Sequence, residues 1–494
     1  MALITLALLC VAAWVLRRLG LAVYRLTLHP LAGFQGPRAA ALTGAYEFYF
    51  DALRGGQYTF EIGRMHRRYG PVVRISPDEL HVNDPAFIDE LYAGPGKPRD
   101  KYAIATGQFG NPDSVFGAVA HDVHRMRRSA LNPFFSKAAV ARLEPAIHGV
   151  VAKLCRRLAD EGAAGRPVDL VMAFSCLTTD AILGGTRMGV WARHYPVIYP
   201  ILRSIPVDFL SWLSPETGVF LKWQESMKKR VYEIHREQQA GAAAEKPAQP
   251  QDTGSTIFHS LFAADIPESE KQPERMWQEG QIIIGAGTET TAFSLAATVF
   301  HILDNPPILQ RLRDELKEAI PGDDEQPSGR LLEGLPAVIT EGLRLSYGVA
   351  TRLQRVNPQG TMVVPGGGGP EAGPPVVIPA GTPVGMTSFL VHLNPELFPE
   401  PLRFRPERWL TADGSRRDRR LERYLLTFSK GSRQCIGILA YSELYAGIGL
   451  LMRRLGGRLE LHQTDRSDVD MVEDCFVPVP KRDSKGIRVL CRDQ

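Results

Sequence analysis

Between Pro273 and Pro306 runs a proline-free stretch in which Ile282, Ile283, Ala286, Thr290 and Phe293 recur at helical spacing. That pattern predicts one long helix crossing the interior of a large, mainly helical domain. The run Ala286-Gly287-Thr288-Glu289-Thr290-Thr291 interrupts its apolar character. A threonine hydroxyl can bond back to the carbonyl one turn earlier and bend a helix. Gly287 weakens the helix at the same point. A helix opened there forms a pocket for a small ligand and water. Thr290 would donate a hydrogen bond into that pocket, and Glu289 would relay protons from solvent.

A second constellation lies near the C-terminus, in Phe428-Ser-Lys-Gly431-Ser-Arg433-Gln-Cys435-Ile-Gly437. One cysteine is framed by two glycines, an aromatic residue and an arginine. A Gly-rich turn around a buried cysteine is the plain structural alternative. The arrangement also suits a thiolate bound to an iron porphyrin. Gly431 and Gly437 permit tight turns and close backbone approach. Amides opening a helix after Cys435 would favour the anion. Phe428 would cover one side of the ligand, and Arg433 could pair with a porphyrin carboxylate.

Two further motifs stand between and beside these. Glu341-Gly-Leu-Arg344 places an acid and a base on one helix face, with Leu332, Leu335, Ile339 and Leu343 as its apolar stripe. Alone, such a pair is of little weight. Phe404-Arg-Pro406-Glu407-Arg408-Trp409 follows in a Pro-rich loop. Arg408 could close a triad with Glu341 and Arg344, a device that costs desolvation and specifies geometry.

Taken in order, the four motifs resemble the cytochrome P450 family of heme-thiolate monooxygenases, across essentially the whole chain. The resemblance implies a mainly α fold with a smaller β region, binding heme b. It implies that Cys435 is the axial ligand and that Thr290 and Glu289 serve oxygen activation. Glu341, Arg344 and Arg408 would be the structural triad. The family more often has Asp where Glu289 stands. The helix His121 to Phe135 is similar to the family's propionate-binding helix, with His124 in place of the usual Trp and Arg128 at the Arg position. Arg125 and Arg127 are left to face an acidic electron donor. Thr351-Arg352-Leu-Gln-Arg355-Val resembles a strand that supplies another propionate arginine, Arg355 being the better match and Arg352 the alternative.

Residues 2 to 16 are almost all apolar and are followed by Arg17 and Arg18. Continued to Val23, with the arginines snorkelling, the stretch reaches the length of a membrane span. A cleaved signal would carry its basic residues before the apolar core. The expected organisation is therefore an anchor at 1–24, a Pro/Gly hinge at 25–40 and one catalytic domain at 41–494. The basic flank places that domain on the cytosolic side, with the endoplasmic reticulum as the expected membrane.

Composition is consistent with this. The chain has 494 residues, 44% of them hydrophobic, ample for one large core. A net charge of +4 gives no case for nucleic acid. Six scattered cysteines argue against a disulfide scaffold and a structural zinc site. Tyr69 to Ile75 and Glu79 to Val82 alternate like a hairpin, as do Val376 to Val384. Helices are expected over Val140 to Asp160 and Gly218 to Gln239, and loops over Gly241 to Gly254 and Gly366 to Pro375. Basic residues from Arg416 to Arg423 are a second candidate donor surface.

Substrate contacts, placed by the resemblance, are Tyr102 to Phe116, Tyr195 to Trp212, Ile283, Ala286, Tyr347 to Ala350 and Cys475 to Pro478. They imply an apolar pocket for a lipophilic small molecule. Core packing is the alternative for any one of them. Besides O2, the resemblance implies a membrane-bound NADPH-cytochrome reductase as electron donor. Tyr24 to Phe34, Gly56 to His66 and Ala130 to Ser136 resemble fungal trichodiene-oxygenase-like members, which points to a terpenoid. A polyketide or alkaloid substrate, a reductase-independent isomerase or dehydratase, and a non-catalytic heme carrier remain as alternatives.

Overall fold

The computed structural model describes residues 2–178, 185–195, 197–243, 256–320, 334–366, 374–414 and 416–492. Its helices dominate. Helix α1 (Ala2–Thr27) buries no residue and carries no acidic side chain in its first turn. At 1.5 Å per residue it is roughly 39 Å long, enough to cross a bilayer's hydrocarbon core. It ends three residues beyond the expected anchor. The segment after it is docked on the domain. Arg74 donates to the carbonyls of Arg25 and Leu31 at 2.8 and 3.2 Å, and Leu31 is buried. Its last residues open a short helix, Arg38–Leu42.

The core is helical. Helices α2 (His121–Leu131), α3 (Lys137–Ala163) and α4 (Pro215–Ala243) lead to the long α5 (Pro273–Leu303). Helices α6 (Gly334–Ser346) and α7 (Ile438–Leu455) complete the set that packs around it. The C-terminal half of α5 sinks Leu295, Val299, Phe300 and Ile302 into the main apolar cluster with Leu343 of α6 and Leu451 of α7. This is why α5, although long and apolar, is a core helix and not a second membrane span.

Among the described residues the β region is a five-stranded sheet with three small ones. Val72–Arg74 and Leu80–Val82 form the expected antiparallel pair. Val376 to Val384 does not form the expected hairpin. Val376–Ile378 pairs with Met362–Val364, while Pro383–Gly385 joins the five-stranded sheet beside Leu80–Val82 and Arg355–Val356. The intervening Gly381, at φ +76° with its N–H on the Asn357 carbonyl, turns the chain from one sheet into the other. At the far edge, Asp100–Lys101 runs antiparallel to Arg355–Val356 with Lys101 opposite Arg355. Most of the two expected loops, residues 244–255 and 367–373, and Leu332 lie outside the described residues.

Candidate active site

Cys435 is held in a loop tied at both ends. Its N–H donates to the Phe428 carbonyl at 2.9 Å, and Gly431–Arg433 forms a 3-10 turn before it. Gly431 has φ +74°, and a Cβ there would collide with the carbonyl oxygens of Tyr92 and Ala93. Gly437 has φ +36°, and a Cβ would stand 2.9 Å from the Phe428 ring. That ring packs on Tyr441 at 4.9 Å. Helix α7 begins three residues after the cysteine, which brings the positive end of its dipole close to the sulfur. Cys435 is exposed, and the space it faces is a cavity of about 320 Å³. None of the six cysteines is in a disulfide.

The same cavity is lined by Glu289, Thr290, Phe428, Arg433 and Arg355. Much of the remaining lining is apolar, including Phe109, Phe116, Phe220, Trp223, Val349, Leu353 and Phe476. Phe476 meets Phe109 and Phe116 edge-on at 4.8 and 6.0 Å. It does so from a backbone φ of +81°, a conformation costly for a bulky residue.

Beside the thiol lies a cluster of cations. Lys101 donates to the Phe116 carbonyl at 2.5 Å. Arg355 donates to the Gln354 and Leu353 carbonyls at 3.0 and 3.4 Å and lies over the Tyr92 ring at 5.2 Å. Arg433 donates to the carbonyls of Arg99, Ala118 and Val119 at 2.9, 2.7 and 2.6 Å. Among the described residues none of the three has a carboxylate in hydrogen-bond contact; Asp100, the nearby acid, accepts from the His121 N–H. Burial, and then the neighbouring cations, push the Lys101 ammonium well down. Burial first and Arg355 second push Arg433 down to about 10. Buried positive charge without counter-charge is costly. A cluster of this kind, next to a thiol and an apolar cavity, fits an iron porphyrin with two carboxylates.

His124 and Arg128 stand behind this wall and do not line it. Burial, followed by Arg433, Lys101, Arg128 and Arg355, holds His124 down at about 3, so its imidazole is neutral. Arg128 donates to the Gln434 carbonyl at 2.9 Å, next to the cysteine. The alternative arginine, Arg352, is taken up elsewhere: it pairs with Glu79 at 2.8 Å and with Glu47. Arg127 is not a free donor-facing cation, because it pairs with Glu270 at 2.7 Å in a largely shielded site. Arg125 remains exposed.

On α5 the expected opening is not seen. The helix is continuous, and the Thr288 and Thr290 hydroxyls bond back to the Ile284 and Ala286 carbonyls at 2.9 and 2.8 Å. Those two bonds satisfy the turn from within. Burial raises the Glu289 carboxyl to about 7, so near neutral pH it can both give and take a proton.

Behind the thiol loop, the buried Glu341 carboxylate accepts from Arg344 at 2.8 and 2.9 Å and from Arg408 at 3.0 Å. It also accepts from the Trp409 indole and the Arg405 N–H, each at 2.9 Å. The Arg344 carbonyl in turn meets His392 Nδ1, whose Nε2 accepts from the Leu426 N–H at 2.8 Å. Thr427 donates to the Leu343 carbonyl at 2.8 Å. The acid–base motif on α6 therefore holds the start of the cysteine loop through bonds to its backbone.

Of the expected substrate contacts, Phe109, Phe116, Tyr199, Ala286, Gly348, Val349, Phe476 and Val477 line the cavity. Ile283 packs instead into the cluster around Trp277 and Phe258. Tyr347 and Ala350 are buried in a separate small cluster. Trp212 is exposed on the surface. Asn111, within the expected Tyr102 to Phe116, also lines the cavity; sequence reasoning missed Lys101, Phe220, Trp223 and Gln281. Spacing on α4 could have flagged Phe220 and Trp223, three residues apart on one face. Only the strand register reveals Lys101.

Comparisons with known proteins agree. The family profile described as Cytochrome P450 matches residues 48–483. The chain is 39% identical over 509 residues to the "Cytochrome P450 monooxygenase tpcC" of Cochliobolus heterostrophus, covering 95% of this chain and 94% of that one. It is 40% identical to the "Tryptophan 6-hydroxylase fscE" of Fusarium equiseti, over 97% and 96% of the two chains. It is 38% identical to the "N-acetyltryptophan 6-hydroxylase ivoC" of Emericella nidulans, over 95% and 94%.

Proposed function

The chain belongs to the cytochrome P450 family of heme-thiolate monooxygenases, and from that premise we propose that it oxygenates a neutral, largely apolar secondary metabolite of terpenoid type in a fungal pathway. The observation that carries this reading is the convergence of Cys435, the Glu289–Thr290 pair and an aromatic, mostly apolar lining in one cavity. The cations that line it, Lys101, Arg355 and Arg433, all belong to the cluster beside the thiol, and that leaves the rest of the lining suited to a neutral molecule.

Cys435 would hold the heme iron, with Arg433, Arg355 and Lys101 toward its carboxylates and His124 and Arg128 behind them. Bound there, the heme supplies dioxygen activation, which a thiolate ligand favours by donating electron density. The chain's own residues do the rest. Glu289 exchanges protons with solvent, and the Thr290 hydroxyl, once turned from the Ala286 carbonyl, passes them into the cavity. Phe109, Phe116 and Phe476 exclude water and orient the substrate. The two electrons would come from a separate NADPH-dependent reductase. The exposed apolar α1 would hold the enzyme in the endoplasmic reticulum membrane, with the domain on the cytosolic side.

A second reading has a specific support. Two relatives are named for hydroxylation of tryptophan and N-acetyltryptophan, and the cavity's Tyr199, Phe220 and Trp223 add aromatic surface for an indole. The test is incubation of the membrane-bound enzyme and a reductase with terpenoids and, separately, with indole derivatives. A mono-oxygenated terpenoid, formed only with NADPH, is the expected product. Oxidation of indoles alone overturns the terpenoid assignment, and turnover without NADPH overturns the reductase.

A further inference from the structure

Asn111 lines the cavity, is 1% exposed, and neither its Nδ2 nor its Oδ1 has a hydrogen-bond partner. Leaving such a group unpaired is destabilising, so its persistence needs a reason. Conformational freedom does not supply one, because the loop is pinned. The Asn111 carbonyl accepts from the Ser114 hydroxyl at 2.8 Å and from its N–H at 3.3 Å. Gln278 of α5 accepts from the Asp113 N–H and donates to the Asp113 carboxylate, both at 3.1 Å. Glu279, locked by Arg275 at 2.8 Å, accepts from the Val115 N–H at 3.0 Å. The long helix thus fixes residues 111–115, and the carboxamide cannot reach solvent by a local loop movement. In the cavity's other side-chain amide, on Gln281, the Oε1 already accepts from Gln224 Nε2 at 2.5 Å.

We propose that Asn111 is the polar recognition residue of the substrate cavity, and that the substrate presents to it a neutral group able both to donate and to accept a hydrogen bond, a hydroxyl or an amide. The inference rests on the P450 reading above and narrows it: the substrate already carries one such group before this enzyme acts. The upstream reaction must therefore be one that installs an oxygen or nitrogen function on the scaffold.

The test is optical titration of the heme-loaded enzyme with two near-isosteric probes, 2-naphthaleneacetamide and 2-isobutylnaphthalene. The wild type should bind the amide about tenfold more tightly. Asn111→Leu should abolish or reverse that preference while its thermal midpoint stays level or rises, since two unpaired polar atoms are removed. Asn111→Ala, which also removes the carboxamide, should lose the preference too. Equal affinity in the wild type, no binding of the amide, a preference that survives in either variant, or a midpoint lowered by several degrees in Asn111→Leu overturns the proposal. The carbon monoxide difference band of the reduced wild type separates this from the underlying reading. An intact thiolate-type band with no amide preference sinks Asn111 alone; absence of that band sinks the P450 reading itself.

Discussion

The thiol side and the substrate side of the cavity are built by different means. The thiol side uses one contiguous loop, Phe428 to Gly437, braced by a carboxylate that accepts five hydrogen bonds. The substrate side is gathered from well-separated segments around Phe109, Tyr199, Phe220, Gly285, Val349 and Phe476, whose side chains meet by packing. Charge pairs and tied turns fail together when one member is lost, whereas packed aromatics are exchanged one at a time. The contrast predicts that changes on the thiol side abolish activity, and changes on the substrate side redirect it.

The largest effect should come from Glu341→Ala. It strands Arg344 and the Trp409 indole in a buried site, at a cost of about 3–5 kcal/mol. Urea unfolding and heme content of the purified protein should both show it; a midpoint near wild type would break the comparison. Cys435→Ala should leave the fold in place, by circular dichroism, and remove the thiolate-type carbon monoxide band and all activity. On the cavity wall, Glu289→Gln should slow turnover about 10²-fold or more. It should also remove the part of the pH–rate profile that titrates near 7, where burial places the Glu289 carboxyl. The smallest effect is expected for Phe476→Gly. It relieves the positive φ and opens the aromatic cluster, so product distribution should change with thermal stability level or slightly raised. A clear loss of stability would show that this wall, too, is a brace.

The sign of one further pH effect follows from linkage. The Glu289 and Glu443 carboxyls are both raised by burial to about 7, so the folded chain binds more protons than the unfolded one between about 4.5 and 7. Their contribution to stability is therefore lost as pH rises through that window. His392 and His301, lowered by burial to about 3, act in the opposite sense and destabilise the fold as pH falls from about 6.5. Chemical denaturation at pH 5 and pH 7 should show that Glu289→Gln is more favourably affected by the rise in pH than the wild type, whatever the sign of the wild type's own change.

This division also explains what could be read from residues alone. The Cys435 loop, the Glu289–Thr290 pair and the Glu341–Arg344 motif are local, because each needs particular atoms at fixed chain spacing. Arg408 was readable because a charge in a Pro-rich loop needs a partner, and Glu341 was the buried acid on offer. The fate of Arg352 and Arg127 was not readable, since Glu79, Glu47 and Glu270 lie far away in the chain. Nor was the parting of Val376 and Val384 into two sheets, because their alternation fits either partner. The unbroken α5 shows the same limit: Gly287 and the threonines permit an opening, but the helix runs straight through them, each threonine hydroxyl bonded to the carbonyl four residues earlier.

The facing of Lys101 and Arg355 across the sheet edge has a consequence for how the chain matures. Like charges directly opposed in neighbouring strands repel, so an anion arriving between them would tighten the outermost strand. Docking of the prosthetic group would then be the event that zips this edge shut. Amide hydrogen exchange at residues 100–101 should slow sharply on loading, well beyond any change along the interior strands, which makes the rim of the sheet a gauge of assembly.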